Sequence, residues 1–538
     1  MGIPDVDLLH WLAAFAPIAV LLVLMVGFNW GGAKAGPVAW LVALAVAAGF
    51  YGARLDLIAY SQAKAGLLSI WVLYIIWAAL FLFHIVDLAG SVSTIGRGIA
   101  RITENRVMQV LLLAWIFTTF LQGIAGYGVP VAVVAPLMVG MGFAPVTAVV
   151  ATSVGHSWSV TFGSLAASFF ALSGVSEIPG SDLAFEAALL LGIACFLCGI
   201  GAVWSFDGVR AVVRAAGPLL ILGALMATTQ LLLAVLGAYS LAAFTAGCVG
   251  LLGVVVMTRL PYYRFEPRQR VLPPVQGGSV DAADIVESTT PVPLREVALA
   301  FSAYAILIVI VLGSSVITPL DDAINSVSIN LSFPATSTTF GWVNEATNSY
   351  RSIEPFGHAG AMLLYSAFLG YAIYRQSGKL GRGALQQAVS RTVAGALTSS
   401  IGIVTMVGMA LLMMESGMTY LLAQGIADVA GPVFPLLAPF IGVLGCFMTG
   451  SNTNSNILFG ALQRDTATVL GLPKAVILAA QTAGGALGSM VAPAKIIVGC
   501  STAGLSGQEG PVIRQCVRYG IVITTIIGII TLIWSELS

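Results

Sequence analysis

Charge is what this chain has least of. Asp, Glu, Lys and Arg make up 9% of its 538 residues, whereas a soluble domain carries about 25% to maintain a hydrated surface. Lipid is therefore expected to cover most of the chain. The 23 basic and 23 acidic residues balance to a formal net charge of zero, which excludes a broad basic face for nucleic acid. Histidine is scarce as well. His10, His84, His156 and His358 lie far apart, with no HExxH and no paired-acid motif. No enzyme centre, catalytic residue or metal ligand is therefore assigned. Cysteines are few and scattered; Cys195 and Cys198 form a CxxC without His or acidic neighbours, and read as small packing residues. No Lys or Arg precedes the first apolar run, so that run is expected to be a retained helix rather than a cleaved signal.

What is present in abundance is apolar sequence, 58% of the residues. About 20 apolar residues cross a hydrocarbon core of ~30 Å. Segments of that kind fall near Trp11–Phe28, Pro37–Gly52, Leu67–Leu88, Val107–Leu121, Phe143–Leu172, Leu183–Trp204 and Pro218–Leu236. Others follow near Tyr239–Met257, Val297–Ile317, His358–Tyr374, Val393–Met414, Phe434–Phe447, Pro473–Met490 and Val512–Trp534. The runs are continuous rather than alternating, which excludes a closed barrel. The fold class is an all-α polytopic membrane protein with about 12–14 transmembrane segments, some of them half-spans.

Basic residues orient the bundle. Arg97, Arg101 and Arg106 mark 89–106. Arg259, Arg264, Arg268, Arg270 and Arg295 mark 259–295, and Arg375, Lys379, Arg382 and Arg391 mark 375–391. These loops are placed in the cytoplasm. The segment 318–357, with Arg351 as its single basic residue, is placed outside together with the N-terminus. The proline-rich stretch Pro261–Pro293 reads as a cytoplasmic linker. It divides the chain into an N-terminal half, 1–258, and a C-terminal half, 296–538.

Two stretches break the apolar pattern, Phe120–Pro145 and Phe447–Pro473. Both open Phe-x-x-Gly, and both close on a glycine and proline that launch a new apolar run. Each is followed, ten residues beyond that proline, by a second break: Gly155-His156-Ser157 and Ala483-Gly484-Gly485. Paired Gly/Pro-interrupted segments in matching positions point to a transporter's binding site. A broken helix frees backbone groups where no bulk water exists. Half-helix N-termini favour an anion, and unwound carbonyls favour a cation. Gly123–Gly128 could equally be a close-packing motif. The six polar residues Ser451-Asn452-Thr453-Asn454-Ser455-Asn456, between apolar flanks, need water, ligand or ion. His156 suits proton exchange or a hydrogen-bonded packing role. Lys495, after Pro493, could pair with a substrate carboxylate or sulfonate, or snorkel. Glu415 and Asp87 read as solvated span ends, and Arg464–Asp465 as an ion pair at a hairpin rim.

Here the sequence resembles the lactate permease family, which includes glycolate permeases. The resemblance rests on Phe120-Leu121-Gln122-Gly123-Ile124-Ala125-Gly126-Tyr127-Gly128-Val129-Pro130-Val131-Ala132, on Phe162-Gly163 after His156, and on Thr449-Gly450 followed by Ser451–Asn456. It continues through Gln481-Thr482-Ala483-Gly484-Gly485, Met490-Val491-Ala492-Pro493 and Ala503-Gly504-Leu505. The resemblance implies uptake of small 2-hydroxy monocarboxylates by proton symport across the bacterial inner membrane. It also implies two inverted-topology repeats, each with a re-entrant hairpin (near 120–145 and 447–473), a homodimer in lipid and elevator-type movement. The implied substrate site is Gln122, Gly123, Gly126, Tyr127, Gly128, His156, Ser157, Ser451, Asn452, Thr453, Asn454, Ser455, Asn456, Gln481 and Lys495. His156, Asn452 and Thr453 are the coupling-ion candidates. No cofactor is implied beyond a coupling H+ or Na+. Four positions depart from the family pattern: Gln122 stands where it has a glutamate, Asn452 where it has an aspartate, Lys495 near where it has a hydroxyl or neutral residue, and His156 near where it has an asparagine. The pocket is thereby more positive, which opens a sodium-coupled sulfonate or dicarboxylate transporter as the alternative. A passive anion channel is more remote, because the polar groups concentrate in two patches rather than lining a continuous path.

Overall fold

A backbone N–H or C=O inside a bilayer finds no water, and an α-helix satisfies both within one segment. The apolar runs fold accordingly. The computed structural model describes residues 7–537 except 29, 101, 127, 261, 262 and 264–292; most of the expected linker 259–295 lies outside the described residues. The first half contains α1 Leu8–Gly27, α2 Gly32–Gly49, α3 Leu55–Leu88, α4 Ser91–Ala100, α5 Arg106–Ile124, α6 Val129–Gly140, α7 Pro145–His156, α8 Gly163–Ser176, α9 Gly180–Val235 and α10 Tyr239–Met257. The second contains α11 Leu294–Ala300, α12 Ser302–Val316, α13 Thr318–Ile324, α14 Ala359–Gln376, α15 Ala384–Glu415, α16 Met418–Ala430, α17 Phe434–Thr449, α18 Asn452–Val469, α19 Lys474–Gly488, α20 Pro493–Thr502 and α21 Glu509–Leu537. Among the described residues, 10 helical stretches are long and apolar enough to cross a membrane.

The expected span Phe143–Leu172 is not one helix. It is interrupted between His156 and Gly163, with Ser164, Leu165 and Ala166 left-handed at φ 47°, 57° and 65°. The expected break at Ala483–Gly485 is absent, because α19 runs through it and the interruption falls later, between Gly488 and Pro493. The reason is packing. A Cβ on Gly484 would stand 1.8 Å from Pro439 O, and one on Gly442 would stand 2.1 Å from Gln481 O. These glycines let α17 and α19 cross closely rather than break α19. The 318–357 segment holds strands that hydropathy does not register: β1 Ile329–Phe333 pairs with β4 Thr347–Ile353, and β2 Thr336–Ser337 pairs with β3 Val343–Asn344.

Contacts group the loops as the basic-residue pattern predicts. Arg391 meets Asp87 at 3.3 Å, Lys379 meets Glu296 at 3.6 Å, and Thr103 Oγ1 donates to Tyr263 O. At the opposite face Phe340 packs on His10 and Tyr51, and Thr339 N–H donates to Gly52 O. Glu415 is not a solvated span end. It is buried and paired with Lys64 of α3 at 2.7 Å.

The packing follows two bodies that cut across the two halves of the chain. In one, α2, α3, α14 and α15 pack together, with α12 against α14 and α1 against α2. In the other, α5–α10 pack with α17–α21. The same order of elements occurs twice. Three long helices (α1–α3; α12, α14, α15) lead to a connecting helix (α4; α16). A helix–turn–helix (α5–α6; α17–α18) and an interrupted helix (α7–α8; α19–α20) follow in each case.

Candidate substrate site

Two turn tips and two interruptions converge. In the first tip, α5 ends at Ile124 and Gly128 takes φ +87° before α6. Gly126 N–H donates to Ser164 Oγ at 2.8 Å, and a Cβ on Gly126 would come 2.4 Å from that oxygen. Ser164 belongs to the left-handed turn, a conformation costing about 1–2 kcal/mol per L-residue and typical of functional sites. In the second tip, Gly450 (φ +71°) ends α17, and Ser451 caps α18 by accepting from Asn454 N–H. Around the half-open space between them stand Gln122, Gly126, Val160, Ser164, Ser168, Gly450, Ser451, Asn452, Thr453 and Lys495. Its volume is about 40 Å³. One water needs about 10–15 Å³ by this measure, so the space suits only a very small solute.

Hydrogen bonds tie α18 to the first interruption, to α8 and to α19. Asn452 Nδ2 donates to Thr161 Oγ1 at 3.1 Å, and Asn456 Nδ2 donates to Thr482 Oγ1 and to Ser168 O, both at 2.9 Å. Ser168 and Thr453 share a hydroxyl bond at 3.0 Å. The oxygens Asn452 Oδ1, Asn456 Oδ1 and Gln122 Oε1 are buried without a partner among the described residues. Lys495 is the one charged side chain lining this space among the described residues, and no carboxylate contacts it. Its Nζ donates to Ser489 Oγ at 2.5 Å. His156 Nε2 lies 3.3 Å from the same Ser489 oxygen, and His156 Nδ1 lies 2.8 Å from Thr152 O. A carbonyl only accepts, so Nδ1 carries the ring proton and Nε2 of the neutral ring accepts from Ser489.

The expected residues thus divide. Gln122, Gly126, Ser451, Asn452, Thr453 and Lys495 line the space, and Asn456 lies just behind it. Gly128 adjoins the stem of Lys495, and His156 reaches the space only through Ser489. Gly123 is a packing glycine: its Cβ would stand 2.5 Å from Phe244 Cα, and reciprocally that of Gly247 would stand 2.6 Å from Phe120 Cα. Ser455 and Gln481 brace the helix pair behind the site, Ser157 bonds back to Ser153 O, and Asn454 serves the cap. Tyr127 lies outside the described residues. The sequence reading missed Thr161, Ser164, Ser168, Thr482 and Ser489. Three of them flank the interruptions: Thr161 and Ser164 around Phe162-Gly163, and Ser489 after Gly488.

Two helix tips and two broken helices meeting at a small, half-open space within a bundle of spanning helices fit a membrane transporter. A family model described as L-lactate permease matches residues 10–538, and the chain belongs to that family. It is 28% identical over 540 residues to the glycolate permease GlcA of Escherichia coli, covering 97% of this chain and 95% of that protein. It is 27% identical to an L-lactate permease of Bacillus subtilis, again covering 97% and 95%. Among solved structures, the Neisseria gonorrhoeae MtrF transporter matches over 98% of both chains with a TM-score of 0.51 and 14% identity, a likeness of fold. The chain is a multi-pass membrane protein, and its bacterial relatives point to the inner membrane.

Proposed function

We propose that this protein takes up a small 2-hydroxy monocarboxylate, of the lactate or glycolate kind, by proton symport. One observation carries the reading: Lys495 presents a buried cation to a very small polar space, with no protein carboxylate to neutralise it. A substrate carboxylate supplies the missing charge, and Ser451, Thr453 and Gln122 stand where hydroxyl and carboxylate oxygens need partners. The chain Lys495–Ser489–His156 offers a proton path out of the space toward α7. The twice-occurring element order, with three spans before each helix–turn–helix, fits two repeats of opposite orientation. The body built on α5–α10 and α17–α21 carries the site and moves as an elevator against the other.

The unpartnered oxygens of Asn452, Asn456 and Gln122 favour a second reading, in which sodium is the coupling ion and the substrate is a sulfonate or dicarboxylate. Uptake of labelled L-lactate into proteoliposomes decides between them. Accumulation driven by an inward proton gradient and abolished by a protonophore supports the first reading. Accumulation of a sulfonate or dicarboxylate that requires sodium, with lactate inert, replaces it by the second.

A further inference from the structure

The first interruption is buried along almost its whole length. Every residue from Ala148 to Phe169 is buried except Ser164, which is half-buried and lines the half-open space between the two tips. The turn that carries it is pinned from several sides. Thr161 Oγ1 donates to Thr482 O at 3.0 Å, the Phe162 and Phe169 rings lie 4.9 Å apart, and Leu165 is buried. Gly163 admits the end of α5, since a Cβ there would stand 2.7 Å from Gln122 O. Ser164 is thereby held at φ 47°, a left-handed conformation that glycine adopts freely and other L-residues avoid. A serine at a position suited to glycine puts a hydroxyl there, and strain of this kind gathers at functional sites.

That hydroxyl has one hydrogen to give. Its Oγ accepts the N–H of Gly126 at 2.8 Å, which fixes the oxygen against the first tip. A serine hydroxyl also carries one donor, and this hydrogen has no acceptor among the described residues. Ser168 and Thr453, by contrast, share a hydrogen bond with each other at 3.0 Å. Lys495 reaches the same space from the second half of the chain. The space is thus offered a cation, suited to a carboxylate, and a free neutral O–H, suited to an uncharged oxygen.

We propose that Ser164 is the residue that selects for the substrate's 2-hydroxyl, donating its Oγ–H to that oxygen while Lys495 holds the carboxylate. The inference rests on the reading of the cargo as a 2-hydroxy monocarboxylate. A site that hydrogen-bonds a hydroxyl rejects the analogue lacking it, because the site's own polar group is then left unpaired. Acids of the same length without the hydroxyl are discriminated against in this way, although Lys495 attracts them equally.

L-lactate and propionate differ by this one hydroxyl, and so do glycolate and acetate. Binding of all four to the purified full-length protein is read by calorimetry, which requires no transport. The native protein should bind the hydroxy acid of at least one pair about tenfold or more tightly than its partner. In Ser164→Ala and Ser164→Gly that ratio should fall by about five- to tenfold, the loss of one hydrogen bond, with propionate and acetate binding little changed. Glycine suits the left-handed turn, so Ser164→Gly should unfold at no lower temperature than the native protein and reports the lost hydroxyl without a loss of fold. Lys495→Met should weaken both members of a pair alike and keep their ratio. A ratio that survives in both Ser164 variants, with both members weakened together, makes Ser164 structural; it overturns the proposal and leaves the reading of the cargo standing. Native protein that binds both members of each pair equally overturns the proposal as well. Native protein that binds none of the four acids overturns the reading of the cargo, and the proposal with it.

Discussion

Two buried lysines show how the same side chain takes opposite roles according to what faces it. Lys64 Nζ lies 2.7 Å from Glu415 Oε1, with the Phe333 and Tyr350 rings at 5.6 and 5.5 Å. Removing one member of a buried pair strands the other charge, at about 3–5 kcal/mol. Glu415→Ala should therefore lower the unfolding temperature sharply, and Lys64→Met combined with Glu415→Leu should recover most of it. Recovery no better than the single variant would show that the pair is not what the site depends on. Lys495 has no such partner, so removing its charge relieves desolvation instead. Lys495→Met should leave the unfolding temperature unchanged or raised. Substrate binding should fall by about 10- to 100-fold, the loss of a hydrogen bond to a charged group, as measured by calorimetry. The sequence marked Lys495 through the proline beside it, but gave Glu415 no partner. Lys64 lies 351 residues away, and neither hydropathy nor spacing connects positions so distant.

Glycine does two different jobs along the helices, and hydropathy cannot separate them. At Gly128 and Gly450 the backbone is left-handed; Gly128 caps the start of α6 and Gly450 caps the end of α17. At Gly123, Gly247, Gly442 and Gly484 it is ordinary helix, and the missing Cβ admits a neighbouring backbone. Both kinds appear in the sequence as small residues interrupting an apolar run. The turn tips were therefore legible from the glycines together with Pro130 and the polar 451–456 stretch, whereas Ala483–Gly485 read as a break and proved to be a crossing. The strained turn at Ser164–Ala166 carried no signal of its own, since none of its three residues is a glycine. Gly484→Ala should consequently act on folding, pushing α17 and α19 apart and lowering the yield of monodisperse protein. Size-exclusion profiles and unfolding temperature would show this. A fully stable Gly484→Ala variant would contradict the close crossing.

At the scale of the whole molecule, each body takes helices from both halves of the chain, so neither half can move as a unit. The two bodies meet where α3 faces α8 and α15 faces α18, while α16 packs on α1 and α18. Movement of one body against the other requires these seams to slide and leaves contacts inside each body intact. Trp71 and Phe170 face each other across one seam, ring centroids 5.3 Å apart. Trp77 Nε1 donates to Ser400 Oγ at 2.9 Å within one body, between α3 and α15. Paired cysteines at 71 and 170, joined by a short bifunctional thiosulfonate, should reduce uptake to the level of empty liposomes, and a reductant should restore it. The same reagent joining cysteines at 77 and 400 should leave uptake intact, because that pair never separates. If the 71–170 bridge forms quantitatively and transport continues, the site reaches both faces without sliding along that seam. The moving unit is then confined to the turn tips themselves, Ala125–Gly128 and Gly450–Ser451.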